Sequence, residues 1–397
     1  QRVLNSNETD DSASDYLAVE PMDVPVRLRP DNPEYIAAWR ALYDYKHTDM
    51  SEAHLLELRA AKQRVQREQG DNYAAWVLDH LGIETMLANR VTMGRGLVAP
   101  RFRWVSYVDA FLYPLNNERA SKENPDFRAA FLGLEAVLKR YLAESNQSAL
   151  PATLDGYLAK VVTATLERQK REGVIALKFD SAYIRTLNFA DVQRNDASRI
   201  YARYIRGGEP TQTEYKALQD SIFRYMAGEA GRLNLPVHIH VGAGASGYFD
   251  QSNADPFLLE PMLNDPKLRR TNFVLVHGGL PNAKATRFLL YKPHVYADFS
   301  AQAFLTSKRE LSEVLRSWLE FVPEKVLFGT DAFPITTEVG WEELGWMTTS
   351  SAREALAIAL TGMMNDGQIT RQRAIELARM VMRENAIKLY GLKKGSI

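Results

Sequence analysis

The chain has no cysteine in its 397 residues. Disulfides, iron–sulfur clusters, thiolate zinc sites and cysteine nucleophiles are excluded, so any metal must be held by His, Asp, Glu or a modified Lys. It has no surplus of charge either, since 49 Lys and Arg balance 49 Asp and Glu. A general nucleic-acid binder needs basic excess to neutralise phosphates, and that class is set aside. No run of about 18 apolar residues occurs, so no membrane-spanning helix is expected. No GxGxxG follows the first strand candidate, which argues against a dinucleotide-binding fold. Histidine is scarce at seven residues, and four of them (His238, His240, His277 and His294) fall in one short stretch.

What is present has a rhythm. Residues 1–15 are polar and read as loop, and 1–29 is taken as a polar N-terminal segment ahead of a single barrel domain over 30–397. The chain starts at Gln1, and cytoplasmic and exported placements both stay open. Residues 30–69 read as helical, with Ser51 a plausible N-cap. Short apolar runs then alternate with longer amphipathic ones. The strand candidates are IETMLA (83–88), RFRWVSYVDAF (101–111), VIALKF (174–179), VHIHV (237–241), NFVLVH (272–277), HVYADF (294–299) and VLFGTD (326–331). Helical stretches are expected at 127–144, 152–171, 212–233, 282–291 and 306–320, with three more closing the chain. This alternation predicts βαβ units and a parallel sheet, arranged as a (β/α)8 TIM-type barrel with extra N-terminal and C-terminal helices.

Polar residues gather where the strands end. Lys178, His238, His240, His277, Asp298 and Asp331 each lie at or near the C-terminal end of a predicted strand, the face on which such barrels build their sites. His238 and His240 are two apart and point the same way. Imidazole and carboxylate suit a divalent ion of the zinc or manganese kind, which would make hydroxide available near neutral pH. Asp331 could then take a proton from water and hand it on. A lysine buried at a strand end needs a partner or a modification. Each of these residues also has a plain structural reading: a satisfied core histidine, a capping aspartate, a salt-bridged lysine. Tyr183 and Arg185, in the loop after the Lys178 strand, and Arg90, ending the first strand, are candidate substrate-binding residues, with Arg103 and Asp109 nearby. Asp298 reads as supporting, His294 as structural, and His47, His54 and His80 as helix-surface residues. Aromatic residues in the loops, Tyr248, Phe249, Phe333, Trp341 and Trp346 among them, could shape a pocket.

The order of these pieces resembles a family. A strand-end lysine, HxHxG, VHGG, GTDAFP and a terminal ENAxxLYG are together similar to the amidohydrolase superfamily, in particular its amidohydrolase-2 type, over about residues 80–392. The resemblance implies metal ligation by Lys178 (carboxylated in some members), His240, His277 and Asp331. Asp331 and His277 would be the catalytic pair. His238 is a further metal candidate. The family's first-strand His-x-His pair has no match before residue 80, and the HIH at 238–240 is an alternative pair. The implied activity is hydrolysis of a C–N or ester-type bond in a small molecule by water activated on one or two divalent ions, zinc first and manganese second. Neither nucleic acid nor membrane is expected as a partner, and a homo-oligomer is. The rival readings are a nonoxidative decarboxylase on the same barrel and a metal-poor binding barrel; more distant relatives isomerise uronates.

Overall fold

The computed structural model describes residues 24–392, so the polar stretch 1–15 lies outside the described residues. Seven parallel strands form one sheet in strict chain order: β1 (Met86–Arg90), β2 (Phe102–Tyr107), β3 (Val174–Phe179), β4 (Val237–His240), β5 (Phe273–Val276), β6 (Val295–Asp298) and β7 (Val326–Leu327). All seven expected strands are found. The eight-strand expectation is corrected to seven among the described residues, and β1 and β7 are not paired with each other. The sheet is that of a TIM-type barrel with an open seam.

The strands read as apolar runs because helices cover their outer face. Leu177, Phe179, Val237, Ile239, Phe273, Leu275, Val295 and Ala297 pack into the main core beneath the surrounding helices. The inner face is filled differently. Val274, Val276 and Leu327 meet Ala386 and Leu389 of the helix Asn385–Tyr390, while Val105 and Ala176 meet Tyr390 and Leu392. The last helix therefore closes the inside of the open sheet. Lys178 lies opposite His238, and His240 opposite Val276, so the polar residues of neighbouring strands share that inner face.

Among the described residues, three α-helices precede the sheet: α1 (Glu34–Tyr43), α2 (Glu52–Gln69) and α3 (Tyr73–Leu81). Ser51 sits at the α2 N-cap in extended conformation, but its side chain makes no capping bond. His47 lies in the α1–α2 connection, not on a helix, with its ring stacked 3.5 Å from that of His54. A second core joins α1 and α2 to the segments after β6 and β7, through Trp39, Tyr43 and Leu58 against Ala301, Phe304 and Val339. The helix expected at 282–291 shrinks to Arg287–Leu290. Its segment is bracketed by Pro281 and Pro293, which limit the helical run at both ends. No helix is long and apolar enough to cross a membrane, among the described residues.

Candidate active site

Three strand ends bring Lys178, His240 and His277 together, and the segment after β7 adds Asp331. His240 and His277 are 4% and 5% exposed, with ring centroids 4.6 Å apart in an edge-to-face arrangement. Burial pushes both imidazoles down in pKa, with Lys178 adding to the effect, so both are neutral at neutral pH. Neutral imidazole is the form that ligates a metal.

The orientation of His277 is set by a short relay. The Asp298 carboxylate accepts from the Ser300 hydroxyl at 2.6 Å, from the Ser300 N–H at 3.0 Å and from the His277 N–H at 3.0 Å. The Ser300 hydrogen is thereby committed to a carboxylate, the stronger acceptor. Ser300 Oγ lies 2.7 Å from His277 Nδ1, and the Ala301 N–H donates to the same nitrogen at 3.4 Å. Gln302 Nε2 holds the His277 carbonyl at 2.9 Å.

Left-handed backbone marks both ends of the site, and at His277 it is strained. His277 (φ 69°) and Asp331 (φ 51°) stand in the left-handed region, which side chains other than glycine, Asn and Asp seldom adopt. Gly278 follows at φ 61°, and a Cβ there would lie 2.3 Å from the Trp318 ring, so only glycine fits beneath His277.

His240 Nδ1 lies 4.0 Å from Asp180 Oδ1, and His240 Nε2 is buried with no partner among the described residues. An orphaned buried nitrogen of this kind calls for a missing partner. Asp331 Oδ2 is 3.9 Å from His277 Nδ1. Its side chain keeps 36% of its surface accessible. The protein around the rest strips away hydration and pushes the carboxyl up to about 6; the nearby Lys178 ammonium opposes that rise and Asp180 adds to it.

The remaining expected residues are placed as follows. Lys178 is 3% exposed and forms an ion pair with Asp180, itself 4% exposed. Its ammonium is thus engaged by a carboxylate. His238 shares the inner face but is held by Tyr390, whose hydroxyl is 2.7 Å from Nε2, and burial pushes its imidazole down to about 3. Tyr183 lies beside the site. Its ring is 4.8 Å from His240 and 4.9 Å from Phe249, and its hydroxyl accepts from the Ala245 N–H at 3.1 Å. Arg185 does not face the site. It is 8% exposed, ion-paired with Asp220, bonded to Gln219 and stacked over Phe189. Arg90 ends β1 with its Nε donating to the Thr92 carbonyl at 3.2 Å. Asp109, 1% exposed, accepts from the Asp180 N–H and the Ser181 hydroxyl, and so fixes the loop that carries Asp180.

Two residues of this arrangement escape the sequence reading. Asp180 was detectable as a second ionisable residue two positions past Lys178, just beyond the strand. Ser300 carries no such signal. Only the fold shows that its hydroxyl stands between Asp298 and His277.

A divalent ion can be tested against these donors. Among the described residues, no group of three His, Asp or Glu side chains is arranged to hold one as they stand. The chemistry nevertheless fits: two neutral buried imidazoles, one of them with an orphaned Nε2, and a carboxylate beside them.

Comparison with known proteins identifies the family and the fold. A family model described as amidohydrolase matches residues 147–392. The protein fluG of Emericella nidulans is 23% identical over 235 residues, a match covering 56% of this chain and 26% of that protein. The chain thus spans about a quarter of the length of the curated relative it matches. A Lactobacillus casei protein proposed to be a metal-dependent hydrolase superposes with a TM-score of 0.59 at 17% identity, covering 94% of this chain and 95% of its own. Uronate isomerase of Thermotoga maritima gives 0.64 at 15% identity, covering 91% and 78%. Glucuronate isomerase of Caulobacter crescentus gives 0.56 at 15%, covering 92% and 76%. At these identities the three structures establish the fold alone.

Proposed function

The chain belongs to the amidohydrolase family, and on that premise we propose that it is a metal-dependent hydrolase acting on a C–N or ester-type bond of a small molecule. The observation that carries the proposal is the buried pair of neutral imidazoles, with an orphaned Nε2 on His240 and Asp331 Oδ2 3.9 Å from His277 Nδ1. His240, His277 and Asp331 would hold one divalent ion, zinc before manganese. When bound, such an ion supplies Lewis acidity and lowers the pKa of water.

The chain's own residues do the rest. The raised carboxyl of Asp331 is suited to take a proton from the attacking water and pass it to the leaving nitrogen or oxygen. The Lys178 ammonium, held by Asp180, puts positive charge beside the negative charge that develops on the substrate oxygen. Tyr183 and Phe249 wall the His240 side with aromatic surface and keep water from it. Ser300 and Asp298 hold the His277 ring through Nδ1 and keep it in place beside Asp331.

The test is metal content of the purified protein, measured in parallel on the wild type, His240→Ala and Asp331→Asn. About one equivalent of zinc or manganese in the wild type, lost in His240→Ala, supports the reading and justifies a screen of amides, lactones and carboxylated substrates. A wild type that takes up no metal after reconstitution sinks it and leaves the binding-barrel reading. A second enzymatic reading is nonoxidative decarboxylation on the same barrel, which needs no carboxylated lysine. Carbon dioxide release in the same screen separates the two.

A further inference from the structure

We infer that the helical pair α1–α2 is a brace that fixes Asp331 in the site, with Lys62 and Arg59 as positioning residues. The inference rests on the reading that Asp331 is a site residue. Asp331 is followed by a loop, residues 332–340, before the helix Trp341–Asn365 begins. The only described side chains that hydrogen-bond this loop from a preceding helix converge on one residue of it, Glu338. Trp39 of α1 donates to the Glu338 carbonyl at 3.2 Å, and Lys62 of α2 donates to the same carbonyl at 2.9 Å. Arg59 of α2 grips the Glu338 carboxylate at 2.7 Å.

Lys62 also reaches Glu343, at 2.8 Å, and both partners are buried, at 7% and 0% exposure. Glu343 in turn accepts from the Gly340 N–H at 2.7 Å, so one buried ammonium ties the loop's carbonyl to the start of the next helix. The loop is held apolarly as well. Phe333, Ile335 and Val339 pack against the core of Trp39, Tyr43 and Leu58. Phe333 meets Phe304 edge-on at 5.9 Å, and Phe304 lies four residues past Ser300. The same helices therefore fasten the segment that bears Ser300 and the one that bears Asp331.

This explains how Asp331 keeps its place on an otherwise open side of the sheet. The φ of 51° is one that Asp adopts readily, so what these contacts fix is the position of the segment. β7 is two residues long and cannot do so alone.

The test is the double variant Lys62→Met/Glu343→Gln. It removes the buried charges as a pair and leaves the Gly340 N–H an acceptor. Zinc affinity is read by chelator competition, and backbone deuterium uptake over residues 328–340 is read without added metal. A remote pair treated the same way, Arg224→Met/Asp265→Asn, is the control for general loss of stability. The expected result is zinc binding weakened about tenfold or more, with faster exchange at 328–340 and unchanged exchange at 237–241. The control should move its melting temperature without moving zinc affinity. If the double variant fails to fold, Arg59→Met carries the same test with a smaller effect. Wild-type zinc affinity together with wild-type exchange in the double variant overturns the inference. A wild type that binds no zinc defeats the hydrolase reading instead, and the exchange measurement alone then decides the brace.

Discussion

The two sides of the sheet are built differently. β3, β4 and β5 are buried along their whole length, whereas every residue of β1 is half-exposed and β7 has only two residues. The buried side holds His240 and His277 with 5% and 6% of their side chains accessible; the seam side leaves Asp331 with 36%. The buried half holds the two imidazoles out of solvent. The seam half leaves the Asp331 carboxyl accessible, as the proposed proton transfer needs. Pre-organisation and access are thus assigned to opposite halves of one sheet.

That contrast can be broken by comparing like substitutions on the two sides. Arg185→Met removes one partner of a buried ion pair on the β3 side. It should cost about 3 kcal/mol, the low end for such a break because Lys216 still faces Asp220 at 2.6 Å. Thermal or urea unfolding measures it. Ser300→Ala removes the hydroxyl at His277 Nδ1 while leaving the ring buried. Zinc affinity should fall by about 10–100-fold with little change in melting temperature; equal zinc affinity would deny Ser300 its orienting role. Arg383→Met removes a seam pair with Glu84 whose side chains are 41% and 27% exposed. Its cost should stay below about 1 kcal/mol and shrink further in high salt. A seam variant as damaging as Arg185→Met would erase the distinction between the halves.

The smallest effect is a pH slope. His294 is pushed down in pKa by burial, with Lys325 adding to it, and its Nε2 has no partner. The unfolded chain binds this proton near pH 6.5 and the folded chain only at lower pH. Stability from this residue is therefore complete above about 6.5 and is lost as pH falls towards the folded value. His294→Phe, which keeps a ring against Phe273, should flatten the acid side of the stability profile without altering it at pH 8.

The sequence is most legible where periodicity and strand ends coincide. All seven strand candidates are found because each is a short apolar run with turn residues on both sides. Lys178, His240, His277 and Asp331 converge because a parallel sheet brings its strand ends to one face. Legibility fails for side chains in loops. Arg185 lies on the active face in the chain, yet Asp220 and Phe189 draw its guanidinium away. His238 shares a face with His240, yet a tyrosine 152 residues later takes its nitrogen. Ser300 is silent because a hydroxyl gains its role only from the two partners that the fold supplies. The seam is unforeseen for a related reason: apolar runs announce strands, but not whether the first and last of them meet.

The strand order has a consequence for how the molecule comes into being. Each strand pairs with the one made just before it, so a growing chain can extend the sheet unit by unit without waiting for distant partners. The contacts of Arg27 do the opposite. They reach the Ala303 and Thr306 carbonyls and the Ser351 hydroxyl, across 276 to 324 residues. The helices made earliest among the described elements are thus docked by some of the latest. Assembly of the sheet and completion of its working face are separate events, with the second reserved for a nearly finished chain.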